Sequence, residues 1–241
     1  MTARRRRSRD GALRVATFNI RHGATVDDLV RPVALAFPPE VSGTGLTGST
    51  SYDVTFGYNG TFNALPEGLV AADVQSDMVV DDPADDINTA LDSGVGITVH
   101  TVNVAAGSRY LRTALFDENT DGEDDLDVYV FDPDGQFAGG SGSPTSTEQV
   151  DLVDPVEGDW TVIVHGFETD GPDANYDLFN WVINGDEGNL TVTAPPAATL
   201  GATEQIDLSW TLPSAGRYLG LVRYDDGVNE LGFTVVSVNA S

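Results

Sequence analysis

Apolar and polar residues alternate along most of the chain beyond residue 45, and short clusters of Gly, Pro and Asp separate the alternating segments. The clearest case has an apolar side chain at every second position: Ile206, Leu208, Trp210 and Leu212. Because successive side chains of a β-strand point to opposite faces, this pattern predicts strands with one buried face. No long segment has helical periodicity, so the sequence predicts an all-β protein.

Ten further segments with similar patterns are predicted to be strands: 54–58, 97–104, 110–116, 126–131, 149–153, 160–167, 176–183, 190–193, 217–224 and 231–238. Turn-forming residues separate them, and Asn59-Gly60 is a strong hairpin signal. Many short strands joined by such turns indicate β-sandwiches. The acidic segment 79–92, which contains Asp82 and Asp86, is predicted to be a flexible connector.

The first 45 residues differ from the rest of the chain. They begin with four arginines at positions 4–7, carry a strand-like apolar run at 13–20, and lead into a linker rich in Gly, Ser and Thr at 42–51. We predict that residues 1–45 are poorly ordered or unrelated to the β-sandwich region. Because Arg14, Asn19, Arg21 and His22 interrupt the apolar run, we expect the chain as given to have no signal peptide.

Charge is distributed unevenly along the chain. All 12 basic residues are Arg, 38 residues are acidic, and the formal net charge is −26. Eight arginines precede residue 32, so the remainder carries four Arg against 35 acidic residues. Such a surface disfavours nucleic acid and anionic membranes as partners and is typical of exported or salt-adapted proteins. The absence of Cys excludes disulfides, and no apolar run is long enough to span a membrane.

Three segments resemble the bacterial pre-peptidase C-terminal domain, a jelly-roll-like β-sandwich appended to secreted proteases. They are 126–135 (LDVYVFDPDG), 158–164 (GDWTVIV) and 176–181 (YDLFNW). The segments occur in the family's order, and the resemblance covers residues 96–185. It implies a jelly-roll-like β-sandwich for this part of the chain.

The flanking segments resemble the fibronectin type III-like region that closes many bacterial subtilisin-like proteases. The resemblance rests on residues 52–60, 68–70, 217–224 and 233–236. It implies an Ig/fibronectin-like β-sandwich formed by residues 46–95, which include the acidic connector, and residues 186–241. The jelly roll would then be inserted into this sandwich, although two consecutive sandwiches also fit the pattern.

The resemblance implies a non-catalytic C-terminal accessory module of a secreted subtilisin-like serine protease, serving stability, secretion or substrate positioning. Catalysis in that family needs a Ser, His and Asp triad, and His22, His100 and His165 all lie outside the family's histidine motif. The chain is therefore expected not to be an enzyme. Its expected partners are a subtilisin-like catalytic domain, in the same or a neighbouring chain, and a protein or polysaccharide substrate. Its expected location is extracellular.

Residues 13–23 (LRVATFNIRHG) also resemble the first strand of the endonuclease/exonuclease/phosphatase superfamily. In that family the residue at the position of Asn19 lies beside a divalent metal, and a Glu and a late Asp/His pair complete the site. A truncated metal-dependent nuclease or phosphatase is therefore an alternative, and it predicts that residues 1–45 pack into an αβ core. A fusion relic, a misjoined reading frame and coincidence are the other interpretations.

The acidic segment 117–127 is the candidate metal site. Ca²⁺ requires closely spaced oxygen ligands on a turning backbone, and five residues are candidates: Asp117, Asn119, Asp121, Asp125 and Asp127. The first half matches an EF-hand loop, but position 12 is Val128 rather than Glu. A solvated acidic hairpin is the competing interpretation. The acidic residues within 168–177 are candidates for a second site or for completing the first.

A free-standing extracellular module for calcium-dependent adhesion or carbohydrate binding is the alternative binding function. An exposed aromatic face or a concave pocket favours this alternative, and buried tryptophans count against it. Trp160, Trp181 and Trp210 lie in alternating strands, which predicts that they belong to the core. His100 and His165 are likewise predicted to be packed within strands rather than catalytic.

Overall fold

The computed structural model describes residues 34–240. The segment 13–23, the arginine cluster and His22 lie outside the described residues. Within them, strands account for most of the secondary structure, which confirms the predicted all-β fold. No helix of this described part combines the length and the apolar character that crossing a membrane requires.

The elements in chain order are β1 (Leu35–Ala36), β2 (Glu40–Thr44), β3 (Thr47–Phe56), β4 (Gly60–Thr61), β5 (Asn63–Ala71), β6 (Asp73–Val80), α1 (Ile87–Ser93), β7 (Ile97–Val104), β8 (Tyr110–Ala114), β9 (Asp125–Phe131), β10 (Phe137–Ser141), β11 (Gln149–Val153), β12 (Gly158–Glu168), β13 (Asp173–Ile183), β14 (Leu190–Thr193), β15 (Ala197–Ala198), β16 (Thr203–Thr211), β17 (Arg217–Asp225) and β18 (Glu230–Asn239).

The first sandwich packs two four-stranded sheets face to face. Their strand orders are β1-β3-β16-β14 and β2-β18-β17-β5, and only the pair β2 and β18 is parallel. The alternation predicted for β16 is confirmed, because Ile206, Leu208 and Trp210 are buried and the residues between them are exposed. They share one core with Tyr224 and Val236 of the opposite sheet.

The predicted linker at 42–51 is wrong, because β2 and β3 occupy most of it. Its glycines serve close packing: a Cβ atom at Gly43 or Gly48 would collide with the indole ring of Trp210. The indole nitrogen donates a hydrogen bond to the carbonyl oxygen of Gly45 at 3.1 Å. The strands β1 and β2 therefore belong to the first sandwich, and they are neither a poorly ordered segment nor part of an αβ core.

The second sandwich packs the antiparallel sheets β10-β9-β12-β7 and β11-β8-β13-β6. Inward-facing residues of β9 and β12 form much of its core: Leu126, Val128, Val130, Val162 and Val164. Because β6 to β13 lie between β5 and β14 in the chain, this sandwich is inserted into the first. The strand order excludes two consecutive sandwiches.

The strand β6 belongs to the second sandwich, although the sequence assigns residues 46–95 to the first. It pairs with β13 along its full length. Val79 is the only buried residue of this edge strand. The sequence of β6 therefore has no alternation of apolar and polar residues from which its sandwich could be predicted.

A buried seam joins the two sandwiches. The outward faces of β8 and β13 pack against the outward faces of β17 and β18 through apolar residues: Tyr110, Phe179, Trp181, Ile183, Leu219, Leu221 and Val235. All five residues of β8 are buried, because one face of this strand contacts the core of the second sandwich and the other contacts the seam. The four large sheets of the described chain are therefore stacked, and β4 pairs with β15 in a separate two-stranded sheet.

Candidate functional site

A cleft opens on the outer face of the sheet β10-β9-β12-β7, on the side of the second sandwich away from the seam. Leu126, Val128 and Val130 of β9 point into the core, so the alternate residues of this strand point outward. We call this site the outer-face cleft. Its volume is about 490 Å³, and its lining consists of Asp125, Asp127, Tyr129, Phe137, Phe167 and the loop 140–144.

Two glycines let the segment 140–144, which begins at the end of β10 and continues as a loop, lie close to the side chains of β9. A Cβ atom at Gly142 would lie 2.7 Å from Oδ1 of Asp127, and one at Gly140 would lie 3.0 Å from the ring of Tyr129. Both separations are shorter than ordinary van der Waals contacts, so larger residues would push the loop outward and change the width of the cleft.

Glu148 holds this loop from the protein interior. Its buried carboxylate accepts a hydrogen bond from the backbone N–H of Ser143 at 2.6 Å and another from the hydroxyl group of Ser141. Hydrogen bonds to a charged, desolvated group are among the stronger ones in proteins. One wall of the outer-face cleft is therefore a fixed structure.

Aromatic rings give the cleft an apolar surface. Phe137 is 62% exposed, and its ring contacts that of Phe131 edge-on with 5.7 Å between centroids. Tyr129 and Phe167 are half-buried on either side. Such rings bind apolar side chains and, through their faces, cations.

His165 forms a buried charged network beneath the cleft. Its side chain is 1% exposed, and Nε2 donates to Oδ2 of Asp82 at 2.9 Å. On the other side, Nδ1 lies 3.5 Å from Oδ2 of Asp127, which also accepts from the hydroxyl group of Tyr129 at 3.0 Å. Burial disfavours the imidazolium, but the two nearby carboxylates of Asp127 and Asp82 outweigh burial and raise the pKa of His165.

Asp125 lies at the rim of the same network. Burial, followed by the negative charges of Asp127, Glu148 and Glu168, raises the pKa of Asp125 to about 6. Its Oδ1 atom is buried and has no hydrogen-bond partner within residues 34–240. The cleft therefore has a negative potential that favours cationic groups.

The segment predicted to be a flexible connector instead contains α1 and the buried Asp82. Besides His165, Asp82 accepts hydrogen bonds from the backbone N–H groups of Ala84 and Asp86 at 3.0 and 2.9 Å. These bonds outweigh desolvation and hold the pKa of Asp82 below its usual value. The Asp86 side chain caps α1, and Gly94 ends this helix in the left-handed conformation, a cap pattern visible in the sequence.

The five predicted metal ligands do not converge on one site. Asp117 begins a 3-10 turn, and Asn119 and Asp121 line a separate hollow where Asp121 accepts from the backbone and side-chain nitrogens of Asn175 at 2.8 and 2.6 Å. Asp125 and Asp127 line the outer-face cleft. The chain passes from one sheet to the other between Asp121 and Asp125, which separates the two groups. In the described part of the chain, no group of three or more His, Asp or Glu side chains is placed to hold a metal ion.

The acidic loop after β12 lies beside Asp124, and Glu168 at the end of β12 lies opposite the predicted ligand Asp125. The backbone N–H of Asp170 donates to Oδ1 of Asp124 at 3.0 Å. Asp124 is buried, its Oδ2 atom has no hydrogen-bond partner within the described range, and burial raises the pKa of Asp124. Asp124 was not among the five predicted metal ligands.

The remaining histidine and the three tryptophans are buried. The ring of His100 contacts Oε1 of Gln75 at 2.9 Å and the hydroxyl group of Tyr176 at 2.7 Å, and burial lowers the pKa of His100. Both histidines of the described chain are buried, as predicted, and neither contacts a serine hydroxyl there. All three tryptophans are buried, which confirms their prediction as core residues: Trp160, Trp181 and Trp210.

Comparisons with known proteins add little to this geometry. No protein-family model matches the chain, and no curated protein matches it. Among solved structures, it is similar to the crystal structure of the Bacillus licheniformis lipase BlEst2 in propeptide form, with 10% identity and a TM-score of 0.29. The match covers 72% of this chain, which spans 40% of that one. So distant a similarity supports no conclusion, and the fold and cleft define only a class: two stacked β-sandwiches with an acidic, aromatic-lined cleft.

Proposed function

We propose that the chain is a non-catalytic accessory module of a secreted subtilisin-like serine protease and that its outer-face cleft binds the unfolded, cationic segments of a protein substrate. The accessory-module part of this proposal rests on the resemblance of residues 126–135, 158–164 and 176–181 to the pre-peptidase C-terminal domain. The observation that supports a cationic ligand is the combination of exposed Phe137 with the carboxylates of Asp125 and Asp127 in one cleft. Aromatic rings and carboxylates together suit the apolar stems and charged ends of Arg and Lys side chains.

The position of β10 supports a polypeptide ligand. This strand is at the edge of its sheet and pairs only with β9 among the described strands. Extended peptides commonly bind by adding a strand to an open sheet edge, with side chains in neighbouring pockets. Phe137 and Tyr129 supply the apolar part of such a pocket.

The histidine environments support the absence of catalysis in this module. A serine protease needs an imidazole that contacts both the nucleophilic hydroxyl group and a carboxylate. His165 lies between two carboxylates, and His100 lies between an amide and a phenol. Neither arrangement activates a serine. The proposed partner is therefore a catalytic domain that would act on the bound substrate.

Binding and activity assays on the full chain test this proposal. Reduced and alkylated lysozyme coupled to agarose is an unfolded basic ligand, and equally treated α-lactalbumin is an acidic counterpart. We expect retention on the basic ligand that decreases with added salt, since screening weakens charge attraction. Phe137→Ala should weaken retention about tenfold, from the lost burial of one aromatic ring, whereas Val228→Ala on the first sandwich should not.

Two outcomes would contradict the proposal. Cleavage of a fluorescent protein substrate by the purified chain, abolished by a serine-protease inhibitor, would show catalysis. Retention on cellulose or chitin, with none on unfolded protein, would favour the alternative of a carbohydrate-binding or adhesion module. The exposed ring of Phe137 also fits that alternative, whereas the burial of Trp160, Trp181 and Trp210 counts against it.

Calcium binding is a second candidate function. It is favoured by the buried oxygens Asp124 Oδ2 and Asp125 Oδ1, which have no hydrogen-bond partner among residues 34–240. Two carboxylates do not form a complete site, but Ca²⁺ sites also use backbone carbonyl groups and water. Thermal unfolding with saturating Ca²⁺ and with chelator tests this function. A ligand at 100 times its dissociation constant stabilises by about 2.7 kcal/mol. We expect the shift to disappear in Asp124→Asn and to persist in Asp121→Asn.

A further inference from the structure

Three tripeptides in the chain match the acceptor motif for N-linked glycosylation, Asn followed by any residue except Pro and then Ser or Thr. They are Asn59-Gly60-Thr61, Asn189-Leu190-Thr191 and Asn239-Ala240-Ser241. The motif alone is common, so the environment of each Asn decides whether it can carry a glycan in the folded protein.

Asn59 meets the structural requirements for a glycan. It is exposed in the turn between β3 and β4, and Thr61 is exposed as well. The side-chain oxygen of Asn59 accepts a hydrogen bond from the backbone N–H of Leu200 at 2.9 Å, while its nitrogen has no hydrogen-bond partner within residues 34–240. Because a glycan is attached through the nitrogen, the contact with Leu200 is compatible with modification.

Asn189 lacks these properties. It is half-buried, its Nδ2 donates to the carbonyl oxygen of Leu69 at 2.8 Å, and its Oδ1 accepts from the backbone N–H of Leu69 at 2.6 Å. A glycan on this nitrogen would displace the contact that joins β5 to the start of β14. Asn239 is also half-buried, and the Asn itself is paired on both sides within a sheet, with Arg217 and Thr44. In the Asn59 motif, by contrast, only Gly60 and Thr61 are paired with β15, and Asn59 precedes the strand.

We propose that Asn59 is an N-glycosylation site, an inference that rests on the extracellular location in the proposed function. The donor class is a lipid-linked oligosaccharide. The Nδ2 atom of Asn59 forms a bond to the anomeric carbon of the first sugar, the bond from that carbon to the lipid-carried phosphate breaks, and the phosphate leaves with its electron pair. The amide nitrogen loses one proton to a base of the transferase.

The surroundings of Asn59 provide a surface for the first sugars. Leu200 is 61% exposed and Val228 is 90% exposed. The loop containing Val228 adjoins the motif, because a Cβ atom at Gly227 would lie 3.4 Å from the Thr61 side chain. Sugar rings have C–H faces that pack on apolar side chains. A glycan at Asn59 would therefore cover apolar side chains that otherwise face water on an acidic protein.

Site occupancy in a eukaryotic secretory pathway tests the proposal. The full chain is expressed in yeast behind a cleavable signal peptide and purified from cells and medium together. Endoglycosidase H then leaves one N-acetylglucosamine on each modified Asn, which peptide mass spectrometry locates. We expect this mark at Asn59 in the folded, trypsin-resistant fraction. It should disappear in Asn59→Gln and Thr61→Ala and persist in Thr61→Ser and Asn189→Gln.

Folded protein without a glycan at Asn59, or with its glycan only at Asn189 or Asn239, would overturn the proposal. Retention of the same glycosylated and enzymatically deglycosylated protein on unfolded lysozyme is measured in parallel. Loss of the glycan with retention intact removes the glycosylation site alone. A glycan at Asn59 with no retention removes the proposed substrate-binding function alone.

Discussion

Arg112 of β8 donates two hydrogen bonds to Glu40 of β2, at 3.1 and 2.9 Å, and thereby connects the second sandwich to the first. The same guanidinium donates two more to Asp151 of β11, at 2.6 and 3.0 Å, and Arg112 is 4% exposed. Burial alone would raise the pKa of Glu40, but its bonds to Arg112 hold that pKa below the usual value. The guanidinium of this ion pair is therefore desolvated, whereas the side chains of Glu40 and Asp151 remain about one third exposed.

The other arginines of the described chain are also concentrated near this interface. The pairs are Arg109 with Glu230, Arg217 with Glu118, and Arg223 with Glu67. Arg217 also lies over the ring of Phe116 at 3.8 Å from its centroid. Since the chain beyond residue 31 carries only four Arg against 35 acidic residues, placing them here offsets the repulsion between two acidic sandwiches.

Arg112→Met should destabilise the protein strongly. Removing the guanidinium leaves the partly exposed carboxylates of Glu40 and Asp151 without their hydrogen-bond donor, at a cost of about 1.5–3 kcal/mol. Urea unfolding followed by tryptophan fluorescence measures this change. Arg109→Met, at a more exposed pair, is the matched control and should cost less than about 1 kcal/mol. Equal effects of the two substitutions would show that the contacts of Arg112 stabilise the protein no more than the exposed ion pair of Arg109 does.

His165→Gln should destabilise the protein most below neutral pH. The folded-state pKa of His165 is raised above its ordinary value of 6.5, so its contribution is complete below pH 6.5 and is lost as the pH rises through the folded-state pKa. The pH range in which His165 stabilises the protein also has an acidic limit, which Asp82 sets. The folded-state pKa of Asp82 is below 3.8, so the ionised carboxylate stabilises the folded state above pH 3.8, and this contribution is lost as the pH falls through the folded-state pKa. Urea midpoints of both proteins between pH 5 and pH 9 measure the difference.

His100→Gln provides a control with the opposite sign. Burial lowers the pKa of His100, so protonation destabilises the folded state, and the contribution of neutral His100 is lost as the pH falls. The difference between wild type and His100→Gln should therefore grow as the pH rises, while that of His165→Gln shrinks. Parallel pH profiles for the two substitutions would contradict the proposed network.

Asp125→Asn should stabilise the protein at pH 7 and have little effect at pH 4. The folded-state pKa of Asp125 is raised from 3.8 to about 6, so ionisation becomes unfavourable to folding as the pH rises through this interval. Asp134→Asn, on an exposed turn, controls for the loss of one negative charge from an acidic protein. A stabilisation no larger than that of Asp134→Asn would contradict the crowding of charge at the outer-face cleft.

Gly43→Ala should destabilise the first sandwich, because its methyl group would collide with the indole ring of Trp210. Overpacking of this kind costs about 1–3 kcal/mol. Gly171→Ala is the matched control, since the nearest atom to its Cβ would lie at an ordinary 3.6 Å. Thermal unfolding of the two variants measures the difference, and equal midpoints would show that the indole ring relaxes without cost.

Long-range pairings explain most of the errors in the sequence-based predictions. Asp82 and His165 are 83 residues apart in the chain, and no local pattern connects an acidic turn to a histidine on a distant strand. The predicted calcium ligands are the opposite case. They are close in sequence, but the chain changes sheets between Asp121 and Asp125 and directs them to different hollows.

The sequence alone determined the all-β class and the inward faces of strands such as β16, because alternation with a period of two is a local property of an extended chain. It also identified Trp160, Trp181 and Trp210 as core residues. Only the tertiary structure decided that the glycines at 42–51 pack beneath an indole ring, that β6 belongs to the inserted sandwich, and that a cleft forms on its outer face. These features depend on which distant strands become neighbours, and burial and charge pairing become defined only once those neighbours are in place.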